Sequence, residues 1–265
     1  MKPADKTNNL TAIMSDAGSA VIALSGGTDS TYLASFAAGI KGLRVMAVTV
    51  TTPYMFSSEV RDAVSFCKSA GMKHMEISMA MPRTVVSNPP ERCYLCKREV
   101  MKAVTDAARE RGYVYVFDGT NADDLLDYRP GMKALREFGI RSPLAEAGLT
   151  KSEIRELARE AGLAVSDKPS NSCLLTRFPH DTSITEVNLR RAEEAERITA
   201  EIGFAGARVR IHGELVRIEL RRDQFAIIMN DDIREVLTSA IKKLGYKYIT
   251  IDAEGYRSGS MNKKI

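Results

Sequence analysis

The sequence predicts an α/β protein with a parallel sheet, followed by a smaller α+β domain. Over the first two-thirds of the 265 residues, short apolar, β-branched runs alternate with helical patterns. That alternation is typical of a parallel sheet with helices on both faces. A segment rich in Pro, Ser and Asn at residues 167–181 then interrupts the pattern. Beyond it the chain predicts a long helix, a hairpin and a final helix and strand.

The first part of the chain is expected to contain four strands and the helices between them. The strands are predicted at residues 20–24, 44–50, 74–77 and 113–117. The helices between them are predicted at residues 29–38, 58–70 and 97–111. Thr150 and Glu153 form a capping box that begins a further helix, with Leu149 and Ile154 spaced as a hydrophobic staple. That helix is expected to run to Gly162, which suits its end.

The remainder of the chain is expected to form a small α+β domain. A helix at residues 184–202 precedes strands at 207–211 and 215–220, which His212 and Gly213 join as a hairpin. A strand at 225–229, a helix at 233–244 and a strand at 248–252 complete it. We place the boundary in the interrupting loop, which gives domains of residues 1–175 and 176–265.

Composition and charge exclude several classes of protein. With 44% hydrophobic and 27% charged residues, the chain can bury a core and is not a disordered tail. It has no apolar run of the roughly 18–20 residues that a membrane helix needs, and its N-terminus lacks a signal-peptide pattern. We therefore expect a cytoplasmic protein with no membrane partner. The net charge of +4 suits an anionic small molecule, and we expect no nucleic-acid partner.

A glycine-containing turn follows the first predicted strand and opens the first predicted helix. Its residues are Ser25, Gly26, Gly27, Thr28, Asp29 and Ser30. The glycines allow a pyrophosphate to approach the backbone, and the helix N-terminus supplies N–H donors to it. Asp29 can hold Mg²⁺ or orient the loop. No Lys follows the glycines, which distinguishes this loop from the one that serves hydrolysis at the γ-phosphate. The alternative is an ordinary glycine turn.

Three of the four cysteines are candidates for chemistry. Cys93 and Cys96 form a C-x-x-C motif, and Cys173 lies in the interrupting loop. A cytosolic chain is not expected to use a disulfide framework, so the motif indicates metal or redox chemistry. Three alternatives remain open: a [4Fe–4S] cluster with one open iron, reactive thiols without metal, or zinc with a further ligand such as His180. Cys67 is expected to be a small buried residue.

Two arginines alternate with apolar residues in the second domain. Arg208 and Arg210 share one face of a predicted strand, while Val209 and Ile211 face the core. On the partner strand, Glu219 is expected to point outward. This face is either solvated or a bidentate grip on a phosphate group.

The S-G-G-x-D-S loop after a buried strand resembles the PP-loop ATP pyrophosphatase superfamily, as does the D-G-T-N-A-D-D segment at residues 118–124. Members of that superfamily cleave ATP between the α and β phosphates and transfer AMP to a substrate oxygen. The complete set of motifs resembles the LarE family of ATP-dependent sulfur transferases, which act in the biosynthesis of the nickel-pincer nucleotide cofactor. The other segments that carry this resemblance are residues 88–97, 141–144, 168–179 and 255–262.

The resemblance implies a reaction. Its substrate is a mononucleotide whose pyridinium ring carries two carboxylates, and ATP with Mg²⁺ activates one carboxylate as an acyl adenylate. Sulfur then displaces AMP and gives a thiocarboxylate. In one branch Cys173 gives up its own sulfur and becomes dehydroalanine. In the other, Cys93, Cys96 and Cys173 hold a [4Fe–4S] cluster that a sulfide donor recharges, and the cysteines of this chain match that branch. The family also implies a hexamer.

The resemblance further implies the site residues. The nucleotide site would comprise Ser25, Gly26, Gly27, Asp29, Ser30, Gly119, Thr120, Asn121 and Asp124. The substrate would contact Lys97, Thr176, Arg177, Arg208 and Arg210. Besides the cluster ligands, Glu196 and Glu219 would bind a metal. Two rival functions are a PP-loop enzyme that thiolates tRNA and a nucleotide sensor without catalysis.

Overall fold

The structure is a computed structural model that describes residues 3–126, 129–169, 171–257 and 260–261. Its contacts divide the chain into two compact units. The first comprises Met1–Pro82 and Glu91–Asn171, and the second comprises Arg83–Pro90 and Ser172–Ile265. The Asn88 side chain ties the short early segment to the rest of the second unit, because its amide donates to three backbone carbonyls of residues 175–179. No feature of the sequence predicts that residues 83–90 belong to the second unit.

The first unit contains a parallel sheet with the strand order β3-β2-β1-β4. Its strands are β1 (Ser19–Ala23), β2 (Arg44–Thr51), β3 (His74–Ser78) and β4 (Tyr115–Phe117). Every pairing between them is parallel, so their carboxyl ends lie at the same edge, where ligands of such sheets bind. The predicted α/β class is confirmed.

Helices cover both faces of this sheet. They are α1 (Pro3–Ser15), α2 (Thr28–Ala38), α3 (Ser57–Ser69), α4 (Arg92–Glu110), α5 (Gly131–Glu137), α6 (Pro143–Glu146) and α7 (Lys151–Glu160). Successive residues of β1 enter two different cores. Ile22 packs in one core with Leu33 and Ile154, and Val21 packs in the other with Met101. This explains why β1 is apolar from Ala20 to Ala23, as expected of a strand buried on both faces.

The beginning of α7 follows the sequence prediction. The Thr150 side chain accepts from the Glu153 backbone, and the Glu153 carboxylate accepts from the Thr150 backbone. Leu149 and Ile154, the predicted staple, are fully buried. The helix ends at Glu160, and Gly162 follows with a φ of 69°, a conformation that favours glycine.

The second unit contains a three-stranded sheet with helices packed beside it. Its strands are β5 (Arg208–His212), β6 (Leu215–Glu219) and β7 (Tyr248–Ile251), in that order across the sheet. The first pair is antiparallel, as the hairpin prediction requires, and the second pair is parallel. The helices are α8 (Glu186–Thr199), α9 (Phe225–Ile228) and α10 (Asp231–Lys243).

The strand expected at residues 225–229 is wrong, because this segment is helical. Gln224 holds the preceding turn: its side chain accepts from the Arg221 backbone and donates to the Ala205 carbonyl. Ile228 is buried, while Ile227 and Met229 are exposed. A short apolar run does not distinguish a strand from a helical turn by periodicity.

In the part of the chain that the structure describes, no helix combines the length and the apolar character that crossing a membrane requires.

Candidate functional site

The predicted phosphate loop lies at the carboxyl edge of the first unit's sheet, between the end of β1 and the start of α2. Gly27 is the N-cap of α2 and provides no side-chain cap. The first turn of the helix therefore presents backbone N–H groups that the helix itself cannot satisfy. The Ser25 and Ser30 hydroxyls lie 3.0 Å apart, and the Ser25 backbone N–H donates to the Ser30 Oγ at 3.2 Å. These bonds close the loop around a set of donors that suits an anion.

Two glycines are required for close backbone packing at this loop. Gly26 has a φ of +77°, and a Cβ there would lie 2.0 Å from the Glu59 carbonyl oxygen of α3. A Cβ on Gly119, just beyond β4, would lie 2.7 Å from the Ser30 backbone nitrogen. Any larger residue would separate these segments. The geometry thus accounts for both glycines. A Cβ on Gly27, by contrast, would meet only the Ser25 hydroxyl, at an ordinary contact distance of 3.5 Å.

Beside the loop, two carboxylates accept hydrogen bonds from one asparagine, Asn121. The Asn121 side-chain amide donates to the Asp29 Oδ2 at 3.2 Å, and the Asn121 backbone donates to Asp124 at the same distance. Burial raises the pKa of the Asp124 carboxyl, while the Asn121 backbone N–H and the Arg129 guanidinium oppose this rise. Carboxylate oxygens are the ligands that Mg²⁺ prefers, so this donor set fits the ion.

Two lysines that sequence reasoning missed approach the loop. Lys151 Nζ lies 2.7 Å from Asp29 Oδ1. Lys168 Nζ lies 2.6 Å from Asp62 Oδ2 and donates to the Gly26 carbonyl at 3.1 Å. Both lie far along the chain from the loop, so only the tertiary structure reveals them. They place two positive charges beside a loop that contains no lysine of its own.

The segment after β4 forms a compact polar network. Asp118 is buried and accepts from the Thr120 hydroxyl, the Thr120 backbone and the Ser142 hydroxyl. Lys97 Nζ, a predicted substrate contact, lies 3.5 Å from the second oxygen of Asp118. Lys97 is thereby held at the same edge of the sheet as the phosphate loop.

The C-x-x-C cysteines are the second and fifth residues of α4. Cys93 is exposed and Cys96 is half-buried. The Tyr54 hydroxyl lies 3.1 Å from Cys96 Sγ. Burial raises the pKa of the Cys96 thiol, and Tyr54 and Lys97 oppose that rise. Two cysteine sulfurs at the start of a helix form a donor pair of the kind that iron and zinc bind.

The other two cysteines are placed differently. Cys67 is buried as expected, and burial raises its pKa to about 11, which keeps it a thiol. Cys173 is half-buried in the second unit and precedes a short helical turn, Leu174–Arg177. Among the described residues, no group of three or more His, Cys, Asp or Glu side chains has the geometry of a metal site. The shared cluster site therefore stays a prediction.

The predicted residues of the second unit form one hydrogen-bonded network. The Thr176 hydroxyl and backbone both donate to the Cys173 carbonyl. Arg177 is fully buried and donates to both oxygens of Glu196, at 2.6 and 2.8 Å. Arg210 donates to the Thr176 carbonyl at 2.9 Å. The turn after Cys173 is thus anchored through Arg177 to Glu196 of α8 and through Thr176 to Arg210 of β5.

Arg208 and Arg210 are almost fully buried, which excludes the solvated-face interpretation. Arg208 lies 3.7 Å from Glu196, and Arg210 donates to Glu219 at 2.8 Å. Glu219, expected to point outward, has no exposed surface and also accepts from Arg217. The Nε atom of Arg210 is buried and finds no hydrogen-bond partner among the residues that the structure describes. A buried donor without a partner fits an anionic ligand.

Glu196 and Glu219 are each neutralised by two arginines. Their oxygens are already engaged by guanidinium groups, which does not favour a metal ion. Metal binding at these two positions stays an untested prediction. Part of the terminal motif at residues 255–262, namely Ser258, Gly259 and Asn262, lies outside the described residues, as does Ser170.

This chain is similar in sequence to several known proteins. The NAD synthase family matches residues 7–126. An uncharacterized protein of Synechocystis is 38% identical over 98% of both chains. The pyridinium-3,5-bisthiocarboxylic acid mononucleotide synthase of Lactiplantibacillus plantarum is 33% identical over 99% of this chain and 95% of its own length. A glutamine-hydrolyzing GMP synthase subunit of Thermococcus kodakarensis is 31% identical over 55% of this chain and 52% of its own length.

Proposed function

Since this chain belongs to the LarE family of PP-loop enzymes, we propose that it is an ATP-dependent sulfurtransferase. Its substrate is a mononucleotide with two carboxylates on a pyridinium ring, and its product is a thiocarboxylate. The observation that carries the proposal is the phosphate loop: an uncapped helix N-terminus beside the Asp29, Asn121 and Asp124 cluster. ATP and Mg²⁺ are the cofactors that this cluster and the family support.

Adenylation overcomes the low reactivity of a carboxylate. A carboxylate oxygen of the substrate attacks the α-phosphorus of ATP, and the bond from that phosphorus to the β-phosphate oxygen breaks. Backbone N–H groups at the start of α2 stabilise the departing pyrophosphate. Asp29 and Asp124 would hold Mg²⁺, which neutralises charge on the phosphates. The resulting acyl adenylate has AMP as a leaving group.

A sulfur nucleophile completes the reaction. Hydrosulfide attacks the acyl carbon, the bond to AMP breaks, and the remaining proton passes to solvent. Sulfide is nucleophilic near neutral pH, so no strong base is required. Cys93, Cys96 and Cys173 are the residues that would hold a [4Fe–4S] cluster, which supplies an open iron for the sulfide. The thiolate chemistry of the C-x-x-C turn and the match to the three-cysteine branch support this route.

The second unit supports recognition of the substrate phosphate. The buried Nε of Arg210 lacks a partner among the described residues, and this arginine is connected to Thr176 and so to the turn that follows Cys173. A phosphate oxygen that accepts from this atom would complete its hydrogen bonding. Arg208, Arg177 and Lys97 are the other proposed contacts of the substrate.

Adenylation is tested without sulfide. The full chain is incubated with ATP, Mg²⁺, labelled pyrophosphate and the pyridinium dicarboxylate mononucleotide. We expect substrate-dependent exchange of label into ATP, because acyl adenylate formation is reversible. Exchange that requires no substrate, or no exchange at all, would contradict the proposal and favour a nucleotide sensor.

The sulfur route is tested by iron and acid-labile sulfide analysis of anoxically purified protein. We expect near-stoichiometric four-iron content that the Cys173→Ala variant loses, while exchange of pyrophosphate persists. Iron-free protein that thiolates substrate once and becomes lighter by one H₂S would instead make Cys173 a sacrificial donor. Cys67→Ala, a change outside the proposed ligand set, is the matched control and should keep its iron.

Assembly and partners are proposed on the family resemblance. We propose a hexamer, a sulfide donor that recharges the enzyme, and a cytoplasmic location. The mass of the protein in solution tests the assembly, and a monomer would contradict it. Salt-sensitive binding of tRNA would instead support the rival function in tRNA thiolation.

A further inference from the structure

Lys168 is the residue from which a further inference follows. Its ammonium group contacts the phosphate loop directly, donating to the Gly26 carbonyl at 3.1 Å. It also forms an ion pair with Asp62 of α3 at 2.6 Å. The lysine side chain is only 16% exposed, whereas the Asp62 side chain is 43% exposed. The cation is therefore held at the loop, while its counter-ion is partly in water.

The backbone around Lys168 is fixed to the same site. The Lys168 carbonyl accepts from Arg155 of α7 at 2.7 Å. Three residues earlier, the Val165 carbonyl accepts from the Thr28 hydroxyl at 2.8 Å, and Thr28 is the first residue of α2. Both ends of this short segment are thus anchored beside the phosphate loop. A lysine on a fixed backbone presents its charge in one place, which favours a specific contact with a ligand.

The reaction needs a cation at this place. Cleavage between the α and β phosphates leaves pyrophosphate, on which negative charge develops, and the loop contains no lysine of its own. Resting on the function proposed above, we propose that Lys168 binds the β- and γ-phosphate oxygens of ATP and the departing pyrophosphate. The ammonium group then exchanges its bond to Asp62 for bonds to phosphate.

The exchange is favourable because the two partners of Lys168 differ. Asp62 is partly solvated and can return to water at small cost when the lysine leaves it. The phosphate groups of a bound nucleotide together carry more negative charge than one carboxylate, so they attract the ammonium group more strongly. The ion pair with Asp62 thus keeps the ammonium group in place until a nucleotide binds.

A purely structural role is the alternative. Lys168 would then only connect α3 to the phosphate loop, and Asp62 would be as important as Lys168. Asp62→Asn separates the two roles, since it removes the counter-ion but keeps the lysine and its bond to Gly26. If Lys168 binds phosphate, this variant should keep or increase its affinity for pyrophosphate.

The test measures binding of pyrophosphate, ATP and AMP to the full chain by titration calorimetry with Mg²⁺. For Lys168→Ala we expect affinity for pyrophosphate and ATP to fall about 10- to 100-fold, with AMP affinity within about twofold. Lys168→Arg should restore part of the loss. Lys133→Ala, which changes an exposed lysine of α5, is the matched control and should change none of the three.

The outcomes separate this inference from the proposed function. The phosphate role would be overturned if Lys168→Ala and Asp62→Asn each lowered the affinities for pyrophosphate, ATP and AMP by the same factor. Normal pyrophosphate affinity in Lys168→Ala would overturn it as well, whether or not the enzyme forms AMP. A wild-type chain that binds pyrophosphate through Lys168 but shows no substrate-dependent exchange would support this inference and contradict the proposed function.

Discussion

The two units of this protein hold their positive charge in opposite ways. Around the phosphate loop, the donors are backbone N–H groups, and Lys151 and Lys168 are partly exposed with single carboxylate partners. In the second unit, Arg177 and Arg210 are buried and bonded to buried or half-buried glutamates. Backbone donors need no counter-charge when a ligand is absent, whereas a buried guanidinium group does.

Because of this difference, the charged groups of the first unit are suited to binding a ligand, whereas those of the second unit also stabilise the fold. A ligand can replace the partners of the first unit's lysines without leaving a buried charge uncompensated. In the second unit, the same glutamates that neutralise the arginines also stabilise the fold. We therefore expect substitutions around the phosphate loop to change activity, and substitutions in the arginine network to change stability as well.

The largest expected effect is in the second unit. Glu219→Ala leaves the buried guanidinium group of Arg210 without its carboxylate, while Arg217 keeps Asp252 as an acidic partner. We expect the free energy of unfolding, measured by urea denaturation, to fall by about 3–5 kcal/mol. Glu201→Ala, which removes an exposed partner of Arg197, should leave it nearly unchanged. Equal effects of the two changes would contradict the comparison.

The next largest effect is expected at the phosphate loop and in activity alone. Asp29→Ala removes a carboxylate that would hold Mg²⁺, and we expect pyrophosphate exchange to slow about 10²- to 10³-fold. The urea midpoint should stay close to that of the wild type, since the Asp29 side chain lies at the partly exposed rim of the loop. Asp106→Ala, on the exposed side of α4, is the control. A large loss of stability in Asp29→Ala would contradict the distinction between the units.

A smaller effect is expected at Cys96. The Tyr54 hydroxyl favours the thiolate, so Tyr54→Phe should raise the pKa of Cys96. A higher pKa means less thiolate at neutral pH, and alkylation of Cys96 should slow about tenfold, with its pH profile moved upward. In the metal-free Cys93→Ser, Cys173→Ser background, mass spectrometry of peptides follows Cys96 separately from the buried Cys67.

Another tyrosine provides the control for this change. Tyr94 lies on α4, as Cys96 does, and its hydroxyl donates to Glu137 rather than to a cysteine. Tyr94→Phe should therefore leave the alkylation rate unchanged. A pH profile that Tyr54→Phe does not move would show that the hydroxyl contributes nothing to the reactivity of Cys96.

The sequence predicted the strand, turn and helix start around the glycine loop because these signals are local. The strand, the glycine turn and the start of the helix are consecutive, so the loop around Gly26 and Asp29 is readable from residues 20–30. The capping box of α7 is local in the same way, and its predicted bonds are present. Local hydrogen bonding fixes these features before any tertiary contact is known.

Features that depend on distant partners were not predicted. Lys168 contacts Gly26 across 142 positions of the chain, and no motif indicates this. Glu219 lies on the face opposite the core residues of its strand, which suggested exposure, yet Arg210, Arg217 and Ser260 cover it. The segment at residues 225–229 is predicted as a strand, but Phe225–Ile228 is helical, and the preceding turn is fixed by a contact between Gln224 and Ala205, which lie far apart along the chain. Periodicity carries no information about such partners.

The most direct test of the account is the stoichiometry of one reaction. Wild-type protein is incubated anoxically with ATP, Mg²⁺, sulfide and the pyridinium dicarboxylate mononucleotide, and nucleotides and products are quantified by mass spectrometry. We predict one AMP and one pyrophosphate for each oxygen of the substrate replaced by sulfur. Formation of ADP and phosphate, or of AMP without any sulfur in the substrate, would contradict the account.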